Sequence, residues 1–507
     1  MTDEEGTDSS ASRWTVTAVS AGPLLVFVVA AAAVGPPATK FVTSTAALAS
    51  SGFGLFWQLL VAATFVMALV ISFGPTGGVR LGGEQPDIPY LKWLSVIMCT
   101  LLAGGGVFWS AAEPMFHFQS PPPLFDYVEP SSPDAARVAL AQSFFHWGFL
   151  AWAGVGTVAA VALMRHQMLT GRPLLPRSLV EPVVGRRLSD GPLGDVVDGV
   201  SVLAAAAGTI GPIGFLGLQM AYALEALAGV PDSTVSRVGV LMALVGLATA
   251  STVSGLRRGI EWLSQLNVFL AVLLGFVVLA LGPGVALVRN FVGAFGLYTV
   301  ALPAMTFFRG DPSWLSSWTV FYWGWFLGYG PLMALFVARI SRGRTVREIC
   351  LTVAVIAPLV TNVWFSILGG SGLIFELGAP GSVSTALSES GLPAALLAIV
   401  AQIPGSFIWI PAFLVLTFLF LATSVDSMAY AMSMISSRSD VPAPALRAFW
   451  AVLMGTAAAL LVVLGEDSIR ALQSMIVVTA VPVSIILLCP LWTSLFASSL
   501  HPSTDQT

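Results

Sequence analysis

Apolar runs of membrane length recur along the whole chain, separated by short polar stretches. They predict twelve α-helical spans, near residues 14–35, 51–73, 93–112, 136–164, 195–227, 237–256, 262–282, 316–339, 349–370, 403–434, 448–465 and 470–497. Runs such as "VFLAVLLGFVVLALG" approach the ~20 residues that a spanning helix needs. A membrane barrel would show alternating segments of about ten residues instead. The pattern therefore predicts an all-α integral membrane bundle of about twelve transmembrane helices. The segment 283–315 is long for a loop. Its core, "RNFVGAFGLYTVALPAMTFF", reads first as a helix lying along the surface and second as a re-entrant one.

Composition agrees. Of 507 residues, 56% are hydrophobic and 9% charged, against about 25% charged in soluble domains. The start, "MTDEEGTDSSAS", has no basic n-region and reads as a cytoplasmic tail rather than a cleavable signal. The 22 cations orient the chain. With the N-terminus inside, the inner loops hold Arg13, Arg80, Lys92, the run from Arg165 to Arg187, Arg257, Arg258, the run from Arg339 to Arg347, Arg438 and Arg447. The outer side is left with Lys40, Arg137, Arg237, Arg289, Arg309 and Arg470, so the positive-inside rule puts both termini in the cytoplasm. Cys99, Cys350 and Cys489 sit in apolar surroundings and read as small core residues.

Polar and small residues inside the spans carry the candidate chemistry. Gly104, Gly105 and Gly106 interrupt the third span, either as a helix break facing a ligand or as a close-packing surface. The tenth contains "FLATSVDS", with Thr423, Ser424, Asp426 and Ser427. Such hydroxyls either bond back to their own helix or offer oxygens to a hard monovalent cation, and Asp426 is an ionisable group in or near the bilayer. The eighth opens with "WTVFYWGWFLGYGP", seven aromatic residues, three glycines and a proline in fourteen positions. With "FFHWGFLAW" in the fourth span, it predicts an aromatic cage between two helices, suited to a quaternary ammonium group that cannot donate a hydrogen bond. An interfacial aromatic belt is the alternative. Glu113 and His117 read as an outer cap of the third span. His117, His146, His166 and His501 look scattered, without metal-ligand spacing, so no enzyme activity is expected.

These segments together resemble the betaine/choline/carnitine transporter family over about residues 90–490. The motifs are "FWSAAEPMFHF", "FHWGFLAWA", "GFLGLQM", "GIEWLSQLN", "FYWGWFLGYGP", "FVARISRGRTVREI", "WFSILGGSGL" and "TSVDS". The resemblance implies two inverted five-helix repeats of the leucine-transporter type, preceded by two extra helices. The chain then divides into a cytoplasmic tail (1–13), two additional spans and a loop (14–92), a first repeat (93–282), an extracytoplasmic loop with a surface helix (283–315), a second repeat (316–497) and a short cytoplasmic tail (498–507). It implies a homotrimer in the bacterial plasma membrane that takes up trimethylammonium-type solutes with Na+, without other cofactors or nucleic acid. Carried over by position, Trp147, Trp152, Trp325, Phe326 and Tyr329 would form the substrate box, with Trp323 beside it. Thr423, Ser424 and the Phe420 carbonyl would bind sodium together with third-span carbonyls near Cys99 and Leu102.

The sequence departs from the family pattern at several positions. Val155 replaces a tyrosine, and Phe326 and Tyr329 stand where tryptophan is usual. The alternating glycines of the third span read Leu101, Ala103 and Gly105. A second sodium site reads Ala205 and Thr209, which implies coupling to one ion. The tail "HPSTDQT" lacks Lys and Arg, so osmotic activation is not expected. The reading is a sodium symporter. A sodium-independent exchanger is the alternative, disfavoured because Thr423 and Ser424 remain and no Lys or Arg falls between 403 and 434. A channel-like leak or pure osmosensor, and a lipid-acting enzyme, are the rivals from other classes.

Overall fold

The computed structural model describes the backbone of residues 4–254, 257–439, 441–465 and 467–496; side chains are described for 14–98, 105–251, 265–439, 441–465 and 467–494. The described residues are almost entirely helical. The one β contact recorded among them is an isolated bridge between Arg80 and Thr345.

Two helices, α1 (Glu4–Val34) and α2 (Pro36–Phe73), open the chain, separated only by Gly35. Helix α2 begins well before the expected residue 51. Pro36 is pre-set for a first helical position, and the Ala-rich stretch after it extends the helix to 38 residues. Helix α3 is Tyr90–Gln119. The fourth span is three pieces: α4 (Pro133–Trp147), α5 (Phe149–Gly154) and α6 (Thr157–Thr170). Then come α7 (Pro192–Ala228), α8 (Thr234–Ser254), α9 (Arg257–Leu281) and α10 (Val285–Phe307). The second half holds α11 (Pro312–Ser317), α12 (Thr319–Ile340), α13 (Val346–Leu351), α14 (Ala357–Phe365) and α15 (Ser371–Gly378). It ends with α16 (Ser406–Ser437), α17 (Pro444–Leu464), α18 (Ser468–Ile486) and α19 (Leu488–Phe496).

Eleven helical segments among the described residues are long and apolar enough to cross a membrane. They include α10, while α3 and α9, which carry undescribed side chains, are not among them. The most enclosed are the segments Pro192–Ala228 and Pro312–Ile340, each 89% buried in its apolar window, and Pro133–Thr170 at 83%. These three, with α3, surround the centre of the bundle. Segments α1, α8 and α10 are mostly exposed and form the flanks.

The glycine break expected in the third span is not there: α3 runs unbroken through Gly104, Gly105 and Gly106. The interruptions fall in the fourth span. Gly148 ends α4 because its α-carbon lies against the Phe144 carbonyl and the Tyr298 hydroxyl; a Cβ would stand 2.1 and 2.6 Å from those oxygens. The freed Phe149 N–H donates to Tyr298 Oη at 3.1 Å. Gly156 has φ of +121°, a conformation open to glycine, and its α-carbon faces the backbone of Gly330 and Ala334 on α12. The ninth span also departs from regular α-helix, with π turns at Thr352–Ile356 and Ser366–Gly370. Such turns are frequent at functional sites.

One end of the bundle gathers the loops that the charge pattern assigns to the inner side. Arg344 donates to the Ile88 carbonyl, and its guanidinium lies 4.1 Å from the Trp93 ring centre. Arg347 donates to the Ser72 carbonyl, and Arg80 to that of Gly343. These arginines tie loops together and are more than a charged collar. Nearby, buried Arg177 binds Asp198 through its backbone N–H and its Nε, and also binds Asp195, which Arg438 reaches from the end of α16. Arg172 pairs with Glu181 and Asp190. Partial burial raises the Asp190 carboxyl pKa, but the Arg172 guanidinium more than offsets this, leaving it below its ordinary value. A cavity of ≈ 730 Å³ opens here between Arg172, Arg177, Arg339, Arg342 and Arg438.

Candidate functional site

Three of the expected box residues meet in the centre of the bundle. Trp147, the last residue of α4, meets Trp325 and Phe326 of α12 edge to face. Its ring centre is 5.8 Å from that of Trp325 at 81° and 5.4 Å from that of Phe326 at 86°. This is the arrangement aromatic quadrupoles prefer. Phe365, beside the second π turn, adds a wall at 5.2 Å from Trp147, and Tyr322 another at 5.5 Å. Trp325 donates its indole N–H to the Gly208 carbonyl of α7 at 3.1 Å. The rings touch one another directly.

The other three expected residues make none of these ring contacts with Trp147, although Tyr329 lies beside Trp325. Tyr329 joins through α7: its hydroxyl meets Thr209 Oγ1 at 3.0 Å, and its ring covers Gly208. Thr209 thus bonds to Tyr329 and to the Ala205 carbonyl. Trp323 points elsewhere, to Phe145 at 5.3 Å and His146 at 6.3 Å, because it lies on the adjoining face of α12. Trp152 is buried on α5, past the Gly148 break, and makes none of these ring contacts; its indole N–H has no hydrogen-bond partner among the described residues.

Behind Trp147 lies a polar group that sequence reasoning misplaced. Glu113 and His117 are fully buried and are not an outer cap. Glu113 accepts from Trp147 Nε1 at 3.0 Å, Tyr322 Oη at 2.7 Å and His146 Nδ1 at 2.6 Å, and lies 3.6 Å from His117 Nε2. His146 Nε2 in turn meets Gln142 Nε2 at 3.0 Å and Thr319 Oγ1 at 2.9 Å. The two histidines are therefore not scattered. They share one carboxylate, with ligand-type atoms of all three residues within 4.8 Å of each other. The available signal was the four-residue spacing of Glu113 and His117 on one helix face.

Gly105 of α3 makes room for this close packing. A Cβ on Gly105 would stand 2.4 Å from Trp325 Cη2 and 3.3 Å from Trp147 Cη2. The Gly106 carbonyl accepts from Trp364 Nε1 at 3.3 Å. The side chains of Cys99 and Leu102 lie outside the described residues. On α16, Thr423 Oγ1 donates to the Leu419 carbonyl at 2.7 Å and approaches that of Phe420 at 3.2 Å, while Ser424 Oγ donates to Phe420 at 2.7 Å. The hydroxyls bond back to their own helix, and Phe420 O, Thr423 Oγ1 and Ser424 Oγ form one oxygen cluster. A hydroxyl that donates its proton keeps lone pairs for a cation.

A helical membrane bundle with interrupted spans around an aromatic centre is the architecture of a secondary transporter. The model of the betaine/carnitine/choline family transporters matches residues 15–501, and the chain belongs to that family. It is 48% identical to glycine betaine transporter 2 of Vibrio parahaemolyticus over 89% of this chain and 83% of the relative. It is 31% identical to the glycine betaine transporter OpuD of Bacillus subtilis (97% and 94%) and 32% identical to an ectoine/hydroxyectoine transporter of Virgibacillus pantothenticus (86% and 86%). Among solved structures it resembles the substrate-bound outward-open state of a Na+-coupled sialic acid symporter, with TM-score 0.50 and 13% identity over 88% of this chain and 86% of that one. This likeness concerns the fold, two inverted five-helix repeats of the leucine-transporter type preceded by two further helices.

Proposed function

We propose that the protein is a sodium-coupled symporter that imports a quaternary-ammonium or related zwitterionic solute, such as glycine betaine, choline or carnitine, by alternating access. The observation that carries this reading is the edge-to-face cluster of Trp147, Trp325 and Phe326 at the meeting of an interrupted span and α12. Ring faces are the best partners for a methylated ammonium, worth about 2 kcal/mol or more when desolvated. The relatives named for glycine betaine and ectoine support the solute class. Trp147, Trp325 and Phe326 contact the ammonium group; Tyr329 stands behind Trp325, Trp323 lies on the adjoining face of α12, and Trp152 of the interrupted span joins the box when the rings part.

Sodium binds at the Phe420 carbonyl and the Thr423 and Ser424 hydroxyls, completed by carbonyls of α3. It stabilises the arrangement in which the rings part for the solute. One charge moving inward across ~100 mV supplies about 2.3 kcal/mol, and a tenfold sodium gradient about 1.4 kcal/mol more. Together they support accumulation of a zwitterion by roughly several hundredfold. The loops rich in arginine face the cytoplasm with both termini, α10 lies along the outer surface, and the protein works as a homotrimer in the plasma membrane.

The test is a thermal-shift screen of purified protein with glycine betaine, choline, carnitine and ectoine, in sodium and in potassium. Stabilisation seen only in sodium supports coupled binding. Equal stabilisation in both salts favours the sodium-independent exchanger, and none with any solute defeats the solute class.

A further inference from the structure

The transport scheme above makes no use of the buried group around Glu113. A carboxylate out of water is costly unless its charge is compensated. Three donors reach Glu113, yet none brings a positive charge. The indole of Trp147 and the hydroxyl of Tyr322 are neutral. His146 Nε2 faces the amide nitrogen of Gln142, which only donates, so this ring nitrogen accepts. The other nitrogen, Nδ1, then carries the hydrogen given to Glu113. Both nitrogens of His146 are thus engaged, and a second proton on this ring would require Nε2 to turn from accepting to donating toward Thr319 Oγ1, with the Gln142 amide turned over.

His117 differs. It is fully buried, and neither ring nitrogen makes a hydrogen bond of regular geometry among the described residues, although the ring faces the Ser120 backbone as well as Glu113. Its Nε2 stands 3.6 Å from Glu113 Oε1. Its ring lies 4.5 Å from that of Trp318 and 5.7 Å from that of Trp314, centre to centre. Aromatic faces favour a cationic neighbour. The acids and bases facing this pair are His146 from α4 and Tyr322 from α12. Glu376, on α15 beside α3, is committed to the backbone N–H groups of Gly381, Val383 and Ser384. A metal fits less well. Two donors each about 2.0–2.1 Å from a tetrahedral zinc stand roughly 3.3 Å apart, whereas Glu113 Oε1 and His146 Nδ1 are 2.6 Å apart.

We propose that Glu113 and His117 form a proton-binding site, and that a proton held there weakens the aromatic box for a cationic solute. The second half rests on the box reading above. With His117 neutral, the group carries the single negative charge of Glu113, one indole away from the box. A cation between the rings is drawn by it. A proton on His117 neutralises the pair and removes that attraction, so proton and cation compete.

The experiment uses the purified full chain and His117→Gln, which removes the titratable ring and keeps a polar side chain of similar reach. Two quantities are followed across the range in which histidine titrates, about pH 5 to 8: the melting temperature without solute, and the Kd of choline from tryptophan fluorescence. In the wild type the choline Kd is expected to rise about tenfold from pH 8 to pH 5, the scale of one partly screened charge. Glycine betaine, whose carboxylate offsets its ammonium, shifts less. In His117→Gln both the Kd and the melting profile lose this dependence. Identical melting profiles in the two proteins overturn the proton site. Melting profiles that differ with choline bound equally at all pH overturn the competition. If neither solute binds at any pH, the box reading and the competition fail together, and the melting profiles still decide the proton site. A pH response that vanishes on chelation and returns with zinc overturns the proton in favour of a metal.

Discussion

Gly105 of α3 lies directly under the indole of Trp325, so close that a Cβ would stand 2.4 Å from Cη2 and 2.9 Å from Cζ2. The ring is rigid and held by its bond to the Gly208 carbonyl, so it cannot give way at a flexible tip. Gly105→Ala must therefore displace Trp325. Overpacking of this kind costs about 1–3 kcal/mol. The expected outcome is a folded protein with a lower melting temperature and about tenfold weaker solute binding. Wild-type affinity in that variant would mean that the position of Trp325 does not set the site.

Trp325→Ala and Trp323→Ala form a matched pair. Both remove a buried tryptophan of the same helix, and each truncation costs about 3–5 kcal/mol. Only Trp325 belongs to the ring cluster with Trp147. Solute binding should be lost in Trp325→Ala and kept in Trp323→Ala, provided that both are assayed below their melting temperatures. Loss in both would show that general packing, not the ring as ligand, controls binding.

Thr423→Ala and Ser424→Ala each remove a hydroxyl whose recorded hydrogen bonds go to carbonyls of its own helix. Stability should change little. The sodium concentration for half-maximal uptake should rise about tenfold, the loss expected of one oxygen ligand worth ~1 kcal/mol or slightly more. Unchanged sodium dependence in both variants would remove this cluster from the transport cycle.

Arg177→Ala leaves Asp198 buried without its cation. Breaking a buried pair in this way costs about 3–5 kcal/mol. The double variant Arg177→Met with Asp198→Leu removes both charges and should recover much of the loss. Denaturation of the two variants side by side measures the difference, and an equally large loss in the double variant would assign the effect to packing.

The same end of the bundle should loosen in acid. The Asp190 carboxyl is held below its ordinary value by Arg172. Its contribution is fully present above the unfolded carboxylate range, near pH 3.9, and is lost as pH falls through the folded value. Arg172→Gln should flatten the acid limb of the melting profile.

The spans were legible in the sequence because length and apolarity suffice to mark them, and the aromatic residues because their density exceeds what lipid contact requires. The position of the interruption was not. Three adjacent glycines in α3 look like a hinge, yet they stay helical because the fold uses Gly105 as space for an indole on another helix. Gly148 and Gly156 look unremarkable singly, and what breaks the helix there is pressure from Tyr298 and from α12. The Glu113 group was hidden for a similar reason. Glu113, His146 and Tyr322 are far apart along the chain, and local periodicity carries no information about which distant faces meet. Trp152 and Trp323 were grouped with the box through the family resemblance, which carries sequence position but not the local break at Gly148.

The bond from Phe149 N–H to the Tyr298 hydroxyl gives the protein a natural clock. Most amides in these helices are closed by a carbonyl four residues back and exchange with solvent only when their own helix frays. The Phe149 amide is closed by a side chain of α10, a flanking helix, so its hydrogen–deuterium exchange records the separation of α10 from the interrupted span. Exchange at this one amide, faster under turnover than at rest, would time the movement of the flank against the core without any label being attached.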